Sequence, residues 1–507
     1  MLGVACDVSL VDWIEPWIDE GRVAFRFEGR VVTYEQFVRR IEATASGLAS
    51  LGISAGDRVG FCGSNRLEVF DLLFACSHLG AIFVPFNNRL TASELGDQIT
   101  DCAPALVLTT DGFEDLLAQA ASQLTTRDLD ARPFRLGANP LPAAADSGPH
   151  TTVLMVYTSG TTGHAKGAML SLDAMRYTTL NSIDHQGLTR NDRIVAPLPT
   201  FHVGGLNIQT LPVLRVGGEV VLVRRFDPAE VLRLLDELEI TQTLLVPAML
   251  TAVASQPDFD AADLSSLRGI NTGSSIVPDA VMRPFFDRGI PVGQVYGTTE
   301  TGPTAVVLGY GEAADHVGSC GKPALHTELR LVDRSGAEVA DGEPGELWVR
   351  GPNVFSGYWA NAAATDDAFG ADGWFRTGDV GYRTADGYVY ICDRIKDVVI
   401  SGGENIYPAE LEPVLAEHPA IAEVAVIGAR DDRWGEIPVA VVVLVPDTTL
   451  GLADLREWCD DRLARYKQPR ALRIVDALPR TALGKVKKHE LRLTPSDRRI
   501  QETAGTE

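Results

Sequence analysis

Residues 157–167 read Tyr157-Thr158-Ser159-Gly160-Thr161-Thr162-Gly163-His164-Ala165-Lys166-Gly167. The apolar run before them, Thr152-Val153-Leu154-Met155-Val156, reads as a buried strand. A loop this dense in Gly, Ser and Thr leaves backbone N–H groups free to wrap an anion. Thr158, Ser159, Thr161 and Thr162 add hydroxyl donors, Gly160 and Gly163 let the backbone approach closely, and Lys166 adds a point charge suited to phosphate oxygens. We read the stretch as a cradle for a nucleoside triphosphate. A P-loop of the G-x-x-x-x-G-K-[ST] kind is excluded, because Ala165 and Gly167 stand where that motif needs Gly and then Ser or Thr. The remaining alternative, a plain surface turn, is the commoner fate of a Gly/Ser/Thr cluster and has to be weighed against the rest of the chain.

Outward from that strand, helix and strand patterns alternate. Tyr34, Phe37, Val38, Ile41, Ala45, Leu48 and Leu51 recur at three- and four-residue steps, which predicts an amphipathic helix over 32–51. Strands are expected at 58–62, 81–85 and 105–109, and helices at 67–79 and from Thr91 to about residue 100. Residues 122–150, polar and rich in Ala, Pro and Asp, read as a surface connection. Beyond the loop, 193–197, 219–223 and 243–247 read as buried strands and 228–238 as a helix. Such alternation implies an α/β fold with parallel neighbours and helices on the sheet faces. From residue 327 the texture changes to short strands at 328–332, 345–350 and 387–391 between Gly/Asp turns, which marks a β-rich subdomain. After residue 397 the pattern is mixed again, with helices at 408–417 and 452–464, strands at 422–427 and 438–445, and a final basic segment.

At 507 residues the chain exceeds what one core usually organises, so at least two domains are expected. A formal net charge of −23 argues against nonspecific binding to nucleic acid or to an anionic membrane surface, since both need a basic face. Any anionic substrate must therefore be held by local groups. The cysteines (Cys6, Cys62, Cys76, Cys102, Cys320, Cys392, Cys459) are scattered and form no C-x-x-C pair, which fits reduced buried thiols better than a disulfide frame or a zinc site. Residues 1–7 lack a basic segment leading into an apolar one, and the longest apolar run, 439–445, is too short to cross a bilayer. The expectation is a cytoplasmic protein with no nucleic-acid partner and no stable membrane insertion. A homo-oligomer is left open.

Seven stretches taken together resemble the adenylate-forming superfamily, which includes acyl- and aryl-CoA ligases, peptide-synthetase adenylation domains and firefly-type luciferases. They are the loop 157–167, Pro199-Thr200-Phe201-His202-Val203-Gly204-Gly205, Tyr296-Gly297-Thr298-Thr299-Glu300, Gly345-Glu346-Leu347, Thr377-Gly378-Asp379, Asp393-Arg394-Ile395-Lys396-Asp397 and Pro479-Arg480-Thr481-Ala482-Leu483-Gly484-Lys485. They occur in the right order over nearly the whole chain, and their company lowers the prior for a bare turn at 157–167. The resemblance implies a large N-terminal α/β domain of several subdomains (1–393), a hinge (394–397) and a small mobile C-terminal α+β lid (398–507). The lid rotates between two half-reactions. The first joins a carboxylate to ATP and releases pyrophosphate, and the second passes the acyl group from AMP to a thiol.

The same resemblance assigns roles by position. Thr158, Ser159, Gly160, Thr161, Thr162, Gly163 and Lys166 hold phosphates, and Gly273 and Ser274 lie in the adenine-side loop, where Ser274-Ser275-Ile276 replaces the family's usual Gly-Ala-Pro. Tyr296 stacks on adenine, with Gly297 and Thr298 in the same turn, and Thr299 touches the α-phosphate. Glu300 holds Mg²⁺, which needs one or two carboxylates beside the phosphates it bridges. Asp379 accepts from both ribose hydroxyls, and Arg394 also contacts the ribose. Lys485 reaches a carboxylate oxygen and a phosphate oxygen together and offsets charge building in the transition state; with Thr299 and Glu300 it makes up the catalytic set. Lys396 is the hinge position, where dihedral change is absorbed. Gly402 and Gly403 line the pantetheine tunnel, Trp434 contacts CoA, and Arg470 meets its phosphates, with Lys467 and Arg473 as rivals. His202, Val203, Gly204 and Asn207 line the acid pocket, His202 at its gate without proton transfer. The chain departs from the family at Ala165, where Pro is usual, and so loses a constraint on the loop.

The reading is thus an ATP- and Mg²⁺-dependent carboxylate–CoA ligase for a largely apolar acid, aryl or medium-chain. Two alternatives stand beside it. In one the adenylate passes to a carrier-protein thiol, an amine or another nucleophile; in the other the fold binds nucleotide for regulation without turnover.

Overall fold

The computed structural model describes residues 7–110, 112–121, 125–130, 134, 142–145, 147–158, 165–273, 277, 279–370, 372–401, 404–431, 434–460, 462–481, 484–492 and 500–502. Its contacts divide into two compact units, one from Met1–Gly273, Asp279–Leu329 and Val349–Arg376, the other chiefly from Arg330–Trp348 and Thr377–Glu507.

The first unit carries two sheets of the expected α/β kind. One has the strand order Gly357–Tyr358, Lys166–Ser171, Thr152–Thr158, Ile82–Phe86, Arg58–Cys62, Leu106–Thr109, Thr126–Asp128. Its middle is parallel, and Lys166–Ser171 and Gly357–Tyr358 add an antiparallel edge. The other is nine-stranded and parallel from Val292–Tyr296 through Gly269–Gly273, Gln242–Leu244, Arg193–Ala196 and Glu219–Leu222 to Val23–Phe27. Helices start where the sequence supplies side-chain acceptors. Thr33 and Gln36 form a capping box for Tyr34–Ser50, Thr91 and Glu94 do so for Ala92–Cys102, and Gly80 closes Leu67–Leu79 at φ +68°. Phe25, Phe37, Phe70 and Phe74 pack ring on ring at 5.0–5.2 Å, a cluster that ties a strand of the nine-stranded sheet to Tyr34–Ser50 and Leu67–Leu79. Burying each such ring stabilises the fold by roughly 2 kcal/mol.

The second unit contains most of a four-stranded sheet, in the order Glu328–Val332, Gly345–Arg350, Phe375–Arg383, Val389–Arg394. It also holds a six-stranded C-terminal sheet built on the long antiparallel pair Ile421–Asp431 and Gly435–Leu444, backed by Pro408–Ala416 and Leu452–Cys459. Among the described residues no helix is long and apolar enough to cross a membrane. The six described cysteines are free, five of them buried.

Three segments differ from expectation. The strand expected at 243–247 ends at Leu244, because Pro247 opens the helix Pro247–Ala254, and proline fits a first helical turn that needs no N–H partner. The helix expected to reach 464 stops at Cys459, where the buried stripe Leu452, Leu455, Cys459 ends and Arg462 lays its guanidinium 3.9 Å from the Trp458 ring centroid. Within 122–150 a short edge strand, Thr126–Asp128, continues the parallel ladder from Leu106–Thr109.

Candidate active site

The phosphate-loop strands form an antiparallel pair in which Thr158 lies opposite Lys166, so both flanks of the cradle are fixed by a ladder. The loop tip, with Ser159, Gly160, Thr161, Thr162 and Gly163, lies outside the described residues, as do Ser274, Gly402 and Gly403. The strand is pinned at Tyr157, whose ring stacks on Phe86 and whose hydroxyl donates to Asp101 Oδ2 at 2.6 Å.

Glu300 meets these flanks from the turn after Val292–Tyr296. Thr298 and Thr301 hold that turn by reciprocal bonds, Thr298 N–H to Thr301 Oγ1 at 2.8 Å and Thr301 N–H to Thr298 Oγ1 at 3.3 Å. Gly297 is required there, since a Cβ would lie 2.7 Å from the carbonyl carbon of Pro303. Thr299 and Glu300 are buried, and Glu300 Oε1 accepts from Thr158 Oγ1 at 3.0 Å and from the Tyr358 hydroxyl at 3.1 Å. Oε2 takes no hydrogen bond from the described residues. Lys166 Nζ rests 5.0 Å from the Tyr358 ring centroid.

The strand that leads into this turn carries the candidate adenine-side residues. Tyr296 ends its strand half-buried, and Gln294, two residues earlier and hence on the same face, is buried with Nε2 unpartnered. Thr272, opposite Gln294 in the parallel ladder, also has an unpartnered buried hydroxyl. Gly273 passes so close to Val295 O that a Cβ would stand 2.3 Å from it. Orphaned polar atoms here, together with a carboxylate oxygen left open at Glu300, fit a Mg²⁺–nucleotide, for which Glu300 would be the metal carboxylate and the Gln294–Tyr296 edge would face the base. No group of three or more His, Cys, Asp or Glu side chains that could hold a metal occurs among the described residues.

The acid-pocket candidates sit at the short helix Val203–Leu206. His202 caps it, Nδ1 accepting from Gly204 N–H at 3.0 Å, so the neutral ring carries its proton on Nε2. Burial pushes the imidazole pKa down to about 4, so the ring is neutral near pH 7. Asn207 is buried against Met175 Sδ, with Oδ1 unpartnered.

In the second unit Asp379 and Arg394 are opposed across an antiparallel ladder and paired, Arg394 Nε to Asp379 Oδ1, at 3.1 Å. Lys485 projects from a loop closed by the bridge Arg480↔Val486 and turned by Gly484 at φ +81°. Its side chain keeps solvent access, yet desolvation by the surrounding protein and then the nearby Arg394 guanidinium lower the ammonium pKa to about 8, against the pull of Asp379 and Asp397. Lys396 is exposed between two fixed carboxylates, Asp393, which accepts from the N–H groups of Arg394 and Ala409, and Asp397, which pairs with Arg492 at 2.8 Å. Arg470 stacks its guanidinium 4.3 Å from the Trp434 ring centroid. Lys467 is instead tied to Glu410.

Sequence reasoning missed Gln294 and Tyr358. The first could have been found by stepping back two residues from Tyr296. The second carries no local signal, because its partners come from strands far away in the chain.

Two comparisons of sequence and one of structure bear on this geometry. The chain is 42% identical to the indoleacetate–CoA ligase of Aromatoleum aromaticum, over 96% of this chain and 98% of that protein. It is 40% identical to the feruloyl-CoA synthase of an Amycolatopsis species, over 92% and 95%. The O-succinylbenzoate coenzyme A synthetase from Bacillus subtilis, solved in complex with ATP and magnesium ion, superposes with a TM-score of 0.88 at 32% identity, covering 96% of this chain and all of that one. The model of the AMP-binding enzyme family matches residues 19–359, and that of the AMP-binding enzyme C-terminal domain matches 410–485. The chain belongs to this family, the adenylate-forming superfamily that its motifs resemble.

Proposed function

We infer that the chain activates a carboxylic acid with ATP and transfers it to coenzyme A, and that the acid is an aryl one. It is an AMP-forming acid–CoA ligase that uses ATP, Mg²⁺ and CoA. The observation that carries this is the near full-length similarity to the indoleacetate–CoA ligase and the feruloyl-CoA synthase. In the first step a carboxylate oxygen of the acid attacks the α-phosphorus and the bond to pyrophosphate breaks. In the second, the CoA thiol attacks the acyl carbon and AMP leaves.

The residue roles form part of the proposal. Thr158 and Lys166 hold the phosphates, and Thr299 meets the α-phosphate. Mg²⁺ on Glu300 supplies neutralising charge for the leaving pyrophosphate. Tyr296 and Gln294 take the base, Asp379 and Arg394 the ribose. Lys485 donates to the acid's carboxylate and to the α-phosphate as negative charge builds, an ammonium being worth more there than in bulk water. Lys396 serves as the hinge between a domain of 1–393 and a lid of 398–507, and Trp434 and Arg470 receive CoA. A cytoplasmic setting, with its ATP and CoA, agrees with free buried thiols.

An aryl acid is supported by the aromatic acids in both relatives' names and by the neutral, glycine-backed wall His202, Val203, Gly204. The test is pyrophosphate release with indole-3-acetate, ferulate, 2-succinylbenzoate and octanoate. Aryl monoacids should give the highest kcat/KM; a clear preference for octanoate would overturn the aryl assignment.

A further inference from the structure

We propose that Tyr358 is a positioning residue that keeps Glu300 and Lys166 apart, so that the carboxylate stays open to the metal and the ammonium to the phosphates. The proposal rests on the reading of Glu300 as the metal-binding carboxylate. Tyr358 is itself held rigidly. It belongs to the edge strand Gly357–Tyr358, in register with Ala168 on the strand that begins at Lys166. Its N–H donates to Thr365 Oγ1 at 2.9 Å, and the next residue, Trp359, donates its N–H to Gly167 O at 2.8 Å. The Phe355 ring meets it edge-on at 4.9 Å, and Phe355 N–H in turn donates to Glu300 O at 2.8 Å.

From that fixed place one side chain handles both charges. The hydroxyl donates to Glu300 Oε1, which Thr158 Oγ1 also meets, so two donors crowd one oxygen and leave Oε2 for a cation. The ring face meanwhile carries Lys166 Nζ at 5.0 Å by cation–π attraction. Lys166 and Glu300 thus meet the same side chain at different places, ring face and hydroxyl, and are not paired with each other. Such a pair would neutralise the charge that attracts the triphosphate and occupy the oxygen that meets the metal.

Two variants separate the two duties. Tyr358→Phe keeps the perch for Lys166 and removes the donor on Glu300; Tyr358→Leu removes both. Binding is read without turnover, by electron paramagnetic resonance of free Mn²⁺ titrated into enzyme with α,β-methylene-ATP, and by titration calorimetry of the same analogue in EDTA. Tyr358→Phe should weaken Mn²⁺ affinity roughly ten-fold, the scale of a lost hydrogen bond to a charged group, and leave the metal-free analogue's affinity unchanged. Tyr358→Leu should weaken both. Glu300→Gln is the control for the underlying reading: if it retains wild-type Mn²⁺ affinity, Glu300 is not the metal carboxylate. If Glu300→Gln loses Mn²⁺ while both Tyr358 variants, melting as the wild type does, bind Mn²⁺ and analogue normally, the positioning role is wrong and Glu300 stands without it.

Discussion

The alkaline limb of the adenylation step should belong to Lys485. Its ammonium titrates near 8 because surrounding protein desolvates it and Arg394 repels it. With that value the charged fraction falls from roughly nine-tenths at pH 7 to roughly one-tenth at pH 9. If only the ammonium supports the step, kcat/KM for ATP, which reports groups of the free enzyme, drops about ten-fold over that interval with a slope approaching −1. Bound nucleotide is anionic and favours the charged lysine, so the fall in kcat should lie at higher pH than the fall in kcat/KM. Lys485→Arg carries a guanidinium that stays charged throughout, and whatever activity it keeps should lose this limb. The assay is acid-dependent exchange of labelled pyrophosphate into ATP at constant ionic strength, from about pH 6.5 to about pH 9.5. A wild-type kcat/KM that stays level to the top of the range, or an identical decline in Lys485→Arg, would refute the assignment.

Four further outcomes follow from the geometry. Glu300→Gln keeps the shape that Thr158 and Tyr358 grip but removes the charge, so adenylation should fall about 100-fold or more and respond weakly to added Mg²⁺, as read by pyrophosphate release. Asp379→Asn should raise KM for ATP about ten-fold, yet change KM for 2′,3′-dideoxy-ATP much less, because the lost acceptors serve the ribose hydroxyls; equal losses for both nucleotides would point to a structural role. Gly205→Ala places a Cβ 2.3 Å from Pro199 O and should cost about 1–3 kcal/mol, seen as a lowered melting temperature. Gly204→Ala meets only side-chain atoms, nearest His202 Nδ1 at 3.2 Å and Leu198 Cδ2 at 3.4 Å, so it should melt near wild type and raise KM for bulky aryl acids.

Local pattern carried much of the fold into view. Arg58–Cys62 and Leu67–Leu79 fall where apolar density places them, because both are buried along nearly their whole length and Gly80 closes the helix. Ends fixed by something else were less legible: the helix after Leu452 stops where its buried stripe stops, which depends on what packs against it. The order of strands in each sheet is likewise a long-range property and cannot be read from periodicity. Glu300, Asp379 and Lys485 were assigned through short motifs that resemble a family's. Tyr358 was not found, because what distinguishes it is a hydroxyl bonded to a carboxylate 58 positions earlier and a ring beneath a lysine from another strand. His202 was assigned to a gate from its motif, but the burial that lowers its pKa is a tertiary property that no local pattern shows.

Rapid-quench analysis of a single turnover, with labelled indole-3-acetate or ferulate, ATP and Mg²⁺ but no CoA, tests the two-step chemistry most directly. The account predicts that label accumulates as an enzyme-bound acyl-adenylate with one equivalent of pyrophosphate, and that adding CoA converts it to the thioester while releasing AMP. Thioester appearing only when CoA is present from the start, with ADP or phosphate as the nucleotide product and no adenylate at any time, would contradict it.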